Sequence, residues 1–204
     1  MTRTSDEQAT FDRFTKKYQH VQSNLMREIE RSVCGCDYGA TSWTTLDEAR
    51  EVGEMLSLKP GKRLLDVGSG SGWPGVYLAK ETGCDIVMTD LPLTGLRIAI
   101  DRASTERVGG ACLAIVADGV ALPFSRGWFD AITHSDLLCC LPGKRMFWSR
   151  AGTPFALTAK WYSRSFLYAP DLRWPIMNGL RPVGRLSSRR KFRIRRCSAK
   201  PGGK

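Results

Sequence analysis

The 204-residue sequence has only two histidines and no apolar run that approaches the length of a membrane-spanning helix. Such a helix needs about 20 predominantly apolar residues, so we expect no membrane span. The first 12 residues are polar and include Asp6 and Glu7, unlike a secretory signal. The apolar fraction of 42% excludes collagen-like and wholly disordered chains. We therefore expect a globular, cytoplasmic protein.

The chain also lacks a regular cysteine pattern. Its seven cysteines are an odd number at uneven spacings. Cys34 and Cys36 lie closer together than the usual zinc-binding pair, and no histidine pair follows them. We interpret the cysteines, including Cys139 and Cys140, as small buried thiols in a reducing cytoplasm, and we expect no metal site.

Acidic residues are nearly absent from positions 143–204, which contain 16 Lys and Arg and a single acid, Asp171. Residues 1–142 contain 15 Lys and Arg and 19 acids, so the net charge of +11 arises in the last 62 residues. A basic segment of this kind is typical of proteins that bind nucleic acid or an anionic membrane surface. Against RNA binding, the most basic stretch, 185–196, has one aromatic residue, Phe192, whereas RNA-binding surfaces usually stack bases on several.

Apolar residues between Phe11 and Ile29 recur every three or four positions, which predicts one amphipathic helix over 10–32. Thr45 and Glu48 have the spacing of a capping box, which predicts a second helix from 45 to about 58. Strands predicted at 63–67, 85–89, 112–116 and 129–133 then alternate with helices predicted at 74–82 and 93–107. This alternation favours an α/β fold with a doubly wound, Rossmann-like parallel sheet, incomplete at its C-terminal end.

A glycine-rich turn separates the first predicted strand from the next helix and contains Asp66, Val67, Gly68, Ser69, Gly70, Ser71 and Gly72. Glycines let the backbone approach a ligand closely, and the helix N-terminus offers free N–H groups. The spacing of Gly70, Gly72 and Gly75 also satisfies the dinucleotide-binding pattern, which is weak on its own. However, a carboxylate at Asp66 would repel a pyrophosphate, whereas it suits a cofactor that carries an ammonium group and a sulfonium.

Acids also follow the next two predicted strands. Asp90 ends the second strand, where its carboxylate can accept both hydroxyls of a ribose. Asp118 and Gly119 follow the third strand, where a side-chain acid can take the amino group of adenine. Leu91 and Val120 would then lie on the two faces of the adenine ring. Three acids at successive strand ends favour one ligand site over three separate helix caps.

These segments (66–72, Asp90, 117–124 and 129–135) resemble the successive motifs of class I S-adenosylmethionine-dependent methyltransferases. The similarity covers roughly residues 60–140, and the glycine motif is its most specific part. Residues 34–45 also resemble a lead-in segment of small bacterial methyltransferases of this type. The resemblance implies S-adenosylmethionine as the cofactor, with its methionine moiety at Asp66 and the turn 68–72, its ribose at Asp90 and its adenine at Asp118.

The acceptor side of the site is predicted from chain position. His134 and Asp136 follow the fourth strand, where acceptors usually meet the methyl group, and His134 is either a general base or a structural histidine. Tyr38 and Trp43 either line the cofactor mouth, close it as a lid, or pack as ordinary aromatics. We expect a small-molecule acceptor; the sequence names neither that molecule nor the oligomeric state.

The family needs further strands after the fourth, yet 143–204 shows neither strand nor helix periodicity. A reading frame shifted by two bases restores the pattern. The codons of Met146, Phe147 and Trp148 then encode Val-Leu, and those of 155–161 permit Arg-Pro-Asp-Gly-Lys-Val, a turn that leads into a β-branched strand. We therefore expect a frameshift near 141–143, a poorly ordered tail, and weak or absent methyl transfer from the chain as written.

Three regions result from these predictions. A helical cap with its lead-in loop covers 1–58, an S-adenosylmethionine-binding α/β core covers 59–142, and a basic, irregular tail covers 143–204. The predicted function is methyl transfer to a small molecule. The alternative is a nucleic-acid-binding protein or an RNA methyltransferase that uses the basic tail.

Overall fold

The computed structural model describes residues 4–125, 127–137, 140 and 160–164. Within these ranges the helices are α1 (Ser5–His20), α2 (Asn24–Cys34), α3 (Leu46–Leu56), α4 (Gly75–Thr82) and α5 (Leu93–Thr105). The strands in the same ranges are β1 (Arg63–Val67), β2 (Asp85–Asp90), β3 (Cys112–Val116), β4 (Ala131–Ser135) and β5 (Lys160–Arg164). None of the helices described is long and apolar enough to cross a membrane.

The described strands form one parallel sheet in the order β3-β2-β1-β4-β5. The chain moves outward from β1 through β2 to β3 and then returns to the other side of β1 with β4. The carboxyl ends of β1 and β4 therefore flank the point at which strand order reverses, where open α/β sheets bind ligands. The predicted doubly wound α/β fold is confirmed, and the four predicted strands match the observed bounds to within two residues.

Alternation along β1 divides the core between the two faces of the sheet. Leu64 belongs to the larger cluster, which α3, α4 and α5 cover, whereas Leu65 and Val67 belong to a smaller cluster on the opposite face. Burying an aliphatic side chain such as Leu64 stabilises the fold by roughly 1.5–3 kcal/mol relative to exposure. Because alternate strand residues share a face, Asp66 points with Leu64 towards the helices.

The helix predicted over 10–32 is wrong as a single element, because the chain forms α1 and α2 with a break over 21–23. Val21 caps the end of α1, and Ser23 is the N-cap of α2. Tyr18 is buried, whereas Leu25 and Ile29 are 67% and 43% exposed. The prediction failed because apolar residues keep the helical spacing across the break, whereas those that follow it, such as Leu25 and Ile29, do not continue the buried face of α1.

The capping box predicted at Thr45 and Glu48 is confirmed. The Thr45 hydroxyl oxygen accepts from the Glu48 N–H at 3.3 Å, and the Glu48 carboxylate accepts from the Thr45 N–H at 2.8 Å. These two bonds satisfy backbone donors that the first turn of α3 leaves without partners. They also fix the end of residues 35–45, which we call the lead-in loop.

Strand β5 corrects the expectation that the sheet ends at its fourth strand. Residues 160–164 pair in parallel with β4, from Lys160 opposite Ala131 to Arg164 opposite Ser135. Their sequence does not alternate between apolar and polar residues, so a strand could not be predicted from it; the pairing depends on the neighbouring strand. The rest of the predicted tail, 143–159 and 165–204, lies outside the described residues, as does the basic stretch 185–196.

Candidate functional site

The glycine-rich turn lies at the carboxyl end of β1 and is held against the end of β2. The N–H groups of Gly68 and Ser69 donate to the carbonyl oxygen of Thr89, at 2.7 and 3.0 Å. Gly70 and Gly72 have φ angles of 52° and 97°, in the left-handed region that favours glycine. A Cβ added at Gly72 would also lie 2.6 Å from a neighbouring side chain. The turn therefore needs glycine for both its conformation and its space.

The Asp90 carboxylate collects three donors at the end of β2. Its Oδ2 accepts from the Gly70 N–H at 2.8 Å and from the Tyr18 hydroxyl at 2.9 Å, and its Oδ1 accepts from the Leu91 N–H at 2.7 Å. Burial raises the pKa of Asp90, and these three hydrogen bonds oppose the rise. The carboxylate thus joins α1, the glycine turn and β2 at one point.

Tyr18 is a residue of this site that was not predicted, since in the sequence it is only one of the apolar positions that recur between Phe11 and Ile29. The side chain is 4% exposed, and a Cβ added at Gly70 would lie 3.0 Å from its ring. Burial and the neighbouring Asp90 raise the pKa of Tyr18, so its hydroxyl stays protonated and donates. The available signal was the phenol itself, because a buried tyrosine hydroxyl usually finds a hydrogen-bond partner.

Asp66 lies one strand away and is 1% exposed. Its Oδ2 has no hydrogen-bond partner in the described part of the chain and faces Gly75 at the start of α4, where an added Cβ would lie 2.3 Å away. Burial raises the pKa of Asp66 to about 7, with a further rise from Asp90 and an opposing hydrogen bond from Ser69. Ionised and protonated carboxyl forms are therefore both populated near neutral pH.

Asp118, the third predicted acid, is half-buried in a turn after β3. Its Oδ1 accepts from the Val120 N–H at 3.0 Å, and its carbonyl oxygen accepts from the Ala121 N–H at 2.9 Å. This is the local turn that an aspartate favours, and it contains Gly119. The structure brings the three acids to the carboxyl ends of three adjacent strands, as the sequence predicted; their ligand contacts stay predictions.

The alternatives predicted for Tyr38 and Trp43 separate in the structure. Tyr38 is 6% exposed, its hydroxyl donates to Glu106 at 3.0 Å, and its ring lies 4.9 Å from that of Trp73. Its side chain therefore packs as a core aromatic, which favours the packing alternative; its predicted contact with the cofactor stays a prediction. Trp43 is 59% exposed, and its backbone N–H donates to Asp136 Oδ2 at 3.3 Å. Trp43 therefore lies beside the end of β4.

His134 and Asp136, the two predicted catalytic candidates, differ in accessibility. His134 is fully buried in β4, and burial lowers its pKa to about 3. An imidazole with this pKa is neutral and a weak base at neutral pH, which favours the structural alternative. Asp136 is half-buried just beyond β4 with a φ of 55°. Left-handed backbone at a residue other than glycine costs energy and is frequent at functional sites.

Three hydroxyl groups tie the lead-in loop to the end of β4. Ser42 Oγ lies 2.9 Å from Thr44 Oγ1 and 2.7 Å from Ser135 Oγ, and Thr44 Oγ1 lies 2.6 Å from Ser135 Oγ. This hydroxyl cluster holds the residues between and beside it, Trp43 and Asp136, close together. No group of three His, Cys, Asp or Glu side chains suited to a metal ion occurs in the described ranges.

Comparison with known proteins finds methyltransferases that are similar to part of this chain. Residues 64–150 match a family model described as a methyltransferase domain. Phosphoethanolamine N-methyltransferase 3 of Arabidopsis thaliana is 32% identical over 149 residues, which cover 72% of this chain and 29% of that protein. The 27-O-demethylrifamycin SV methyltransferase of Amycolatopsis mediterranei is 31% identical over 107 residues, covering 49% of this chain and 39% of that protein. The chain thus spans less than half the length of either relative.

A solved structure supports the same fold. The [4+2]-cyclase SpnF is 23% identical, with a TM-score of 0.58 over 82% of this chain and 66% of that chain. Similarity at this level of identity concerns the fold alone. The sequence matches lead to a conclusion about the core of the chain: residues 64–150 match a methyltransferase domain, and the motifs at the ends of β1, β2 and β3 resemble those of its class I, S-adenosylmethionine-dependent type.

Proposed function

We propose that the protein is an S-adenosylmethionine-dependent methyltransferase that transfers a methyl group to a small molecule. One observation carries this proposal: the Asp90 carboxylate accepts the Gly70 N–H at 2.8 Å, beside a glycine turn that follows the buried Asp66. This arrangement offers closely approaching backbone and two carboxylates at adjacent strand ends. It suits a ligand that is a nucleoside at one end and an amino acid at the other.

The residues at this edge of the sheet fit the chemistry of that cofactor. The unpartnered Oδ2 of Asp66 suits the ammonium group of the methionine moiety. Asp90 suits the ribose hydroxyls, and Asp118 suits the adenine amino group, with Leu91 and Val120 on the ring faces. The remaining proposed contacts come from the turns that hold these acids, namely Gly68, Ser69, Gly70, Gly72 and Gly119.

When bound, the cofactor supplies a methyl group that its sulfonium already activates. The residues of the chain then have to align the acceptor with that group and exclude water. We propose that Asp136 holds the acceptor at the end of β4 and that the exposed ring of Trp43 shields it, with the hydroxyl cluster keeping the two together. A base is needed only where the acceptor loses a proton, and the half-buried Asp136 suits that role better than the fully buried His134.

The acceptor class rests on the relatives. The names of both methyltransferases denote small-molecule acceptors, phosphoethanolamine and 27-O-demethylrifamycin SV, and neither name denotes a nucleic acid. SpnF is named as a cyclase, so the shared fold does not by itself fix the reaction. We also propose a cytoplasmic location, because an odd number of unevenly spaced cysteines suits a reducing compartment.

Calorimetry tests the cofactor assignment on the full chain. We expect S-adenosylhomocysteine to bind with one-to-one stoichiometry and NAD, the control, not to bind. Asp66→Ala should abolish S-adenosylhomocysteine binding, because it removes the proposed ammonium contact. Preference for NAD, or binding that is unchanged in Asp66→Ala, would contradict the assignment. Methyl transfer itself is then measured with radiolabelled S-adenosylmethionine and phosphoethanolamine as the first acceptor.

A further inference from the structure

Glu30 is a buried acid on α2 that no step of the proposed function uses. It is 9% exposed, and its carboxylate faces the lead-in loop. Its Oε2 accepts from the N–H groups of Tyr38 and Gly39, at 3.1 and 2.5 Å. Its Oε1 accepts from the Ala40 N–H at 3.3 Å and from the Cys36 thiol at 3.3 Å. One carboxylate thus receives three consecutive backbone donors and a thiol.

The opposite side of the same loop is attached to the glycine turn. The Ser71 hydroxyl donates to the carbonyl oxygen of Gly39 at 3.0 Å, and the Gln22 side-chain amide donates to the same oxygen at 3.1 Å. Further along, the Trp73 indole N–H donates to the carbonyl oxygen of Thr44 at 2.8 Å. The lead-in loop is therefore held between α2 and the turn that follows β1.

Glu30 and the backbone of the lead-in loop stabilise each other. A carboxylate removed from water is costly unless hydrogen bonds replace its hydration, and the backbone donors of a buried loop equally need acceptors. Each therefore depends on the other for its partners. Removal of the carboxylate leaves three successive N–H groups of the loop without the acceptor that holds them, at the point where Gly39 contacts Ser71.

We propose that Glu30 is a positioning residue for cofactor binding: it fixes Tyr38, Gly39 and Ala40 so that the lead-in loop holds Ser71 and the glycine turn in their binding conformation. The proposal rests on the proposed function, because it assigns the turn to the cofactor. Glu30 itself touches no reacting group; it acts through the loop.

The test compares Glu30→Gln with Glu28→Gln in the full chain, because Glu28 is exposed on the same helix and undergoes the same chemical change. A glutamine at position 30 keeps the shape but turns one acceptor into a donor that faces the loop N–H groups. We expect the Kd for S-adenosylhomocysteine to rise about tenfold, as for the loss of hydrogen bonds to a charged group, and Glu28→Gln to stay within about twofold of wild type. Glu30→Asp, which keeps the charge, should recover part of the affinity.

Amide hydrogen exchange tests the contacts between Glu30 and the lead-in loop without any ligand. Exchange over 36–40 should accelerate in Glu30→Gln and not in Glu28→Gln. If Glu30→Gln does not fold, Ser71→Ala serves instead, because it loosens the loop from its other side and should raise the Kd in the same direction. Wild-type failure to bind S-adenosylhomocysteine would overturn the proposed function. Wild-type binding that is matched by Glu30→Gln, with unchanged exchange over 36–40, would overturn the role of Glu30 alone.

Discussion

At the residue scale, Asp66 links the pH of the solution to the stability of the fold. Its pKa rises from 3.8 to about 7 because the carboxyl is buried. The folded chain therefore binds this proton more tightly than the unfolded chain does. The contribution of Asp66 to the free energy of unfolding is therefore fully present below about pH 4. It falls by up to about 1.4 kcal/mol per pH unit as the pH rises, and it is lost once the pH has passed through 7.

Asp66→Asn tests this linkage, because the amide has a similar shape and does not titrate. We expect the wild type to lose stability between pH 5 and pH 7.5 relative to the variant, by roughly 1–3 kcal/mol. The measurement is the free energy of unfolding from urea titrations at the two pH values. Parallel changes in both proteins would show that Asp66 is not the titrating group.

Tyr18 illustrates how a single hydroxyl connects α1 to the site. Tyr18→Phe removes only the donor to Asp90 and should lower the free energy of unfolding by about 1.5–3 kcal/mol, as expected for a hydrogen bond to a charged group. Tyr77→Phe is the matched control, because the Tyr77 hydroxyl accepts from the exposed Arg50 at 3.2 Å. Its loss should cost less than about 1 kcal/mol. Equal losses in the two variants would contradict the importance of the Asp90 contact.

At the element scale, strong local signals made most of the fold predictable. β1 and β3 were predicted with their observed bounds, because each is a short apolar run between turn residues. The glycine turn and the acids at the ends of β1 and β2 followed from the rule that parallel strands present their carboxyl ends at one edge. β4 was predicted two residues early, since Phe129 extended the apolar run at its start.

Other features depend on contacts between distant parts of the chain and left no local signal. Tyr18 and Asp90 are 72 residues apart, and three of the donors to Glu30 are backbone N–H groups that any residue except proline could supply. A buried glutamate on a helix has the same sequence appearance as an exposed one until the loop folds over it. Strand β5 likewise pairs with β4, a partner that is distant along the chain.

The start of α3 offers a prediction at this scale. Thr45→Ala removes the side-chain half of the capping box and should destabilise the protein by about 1 kcal/mol. Thr45→Ser keeps the hydroxyl and is the control, with an expected change of less than about 0.5 kcal/mol. Thermal unfolding of both variants checks the difference. A Thr45→Ser variant as unstable as Thr45→Ala would point to lost methyl packing instead of a lost cap.

At the scale of the whole molecule, the position of β5 can be compared with the strand that the shifted reading frame predicts. The shifted frame permits a β-branched strand from the codons around Trp161 and Tyr162, and β5 spans those same positions. The distance along the chain from β4 is therefore suitable for a fifth strand in either frame. The sequence written at those positions carries Lys160 and Arg164, where the shifted frame permits apolar residues.

We predict that restoring the frame near 141–143 yields a more soluble protein that binds S-adenosylmethionine more tightly and transfers methyl groups faster. Expression of both forms, followed by sedimentation and calorimetry, makes the comparison. The physical reason is that an apolar fifth strand would cover apolar surface at the edge of the sheet, and exposed apolar surface favours aggregation. A 204-residue form that is soluble, unfolds cooperatively and binds equally tightly would show that the chain as written is the functional one.

The thiol of Cys36 gives the lead-in loop a built-in chemical reporter. Cys36 is 6% exposed and donates to Glu30, and burial together with that carboxylate raises its pKa. The thiolate is the form that reacts with alkylating reagents. Iodoacetamide should therefore modify Cys36 slowly while Glu30 holds the loop and rapidly once the loop opens. Mass spectrometry of peptides covering 35–50 then reports how fast the loop opens, without a bound ligand.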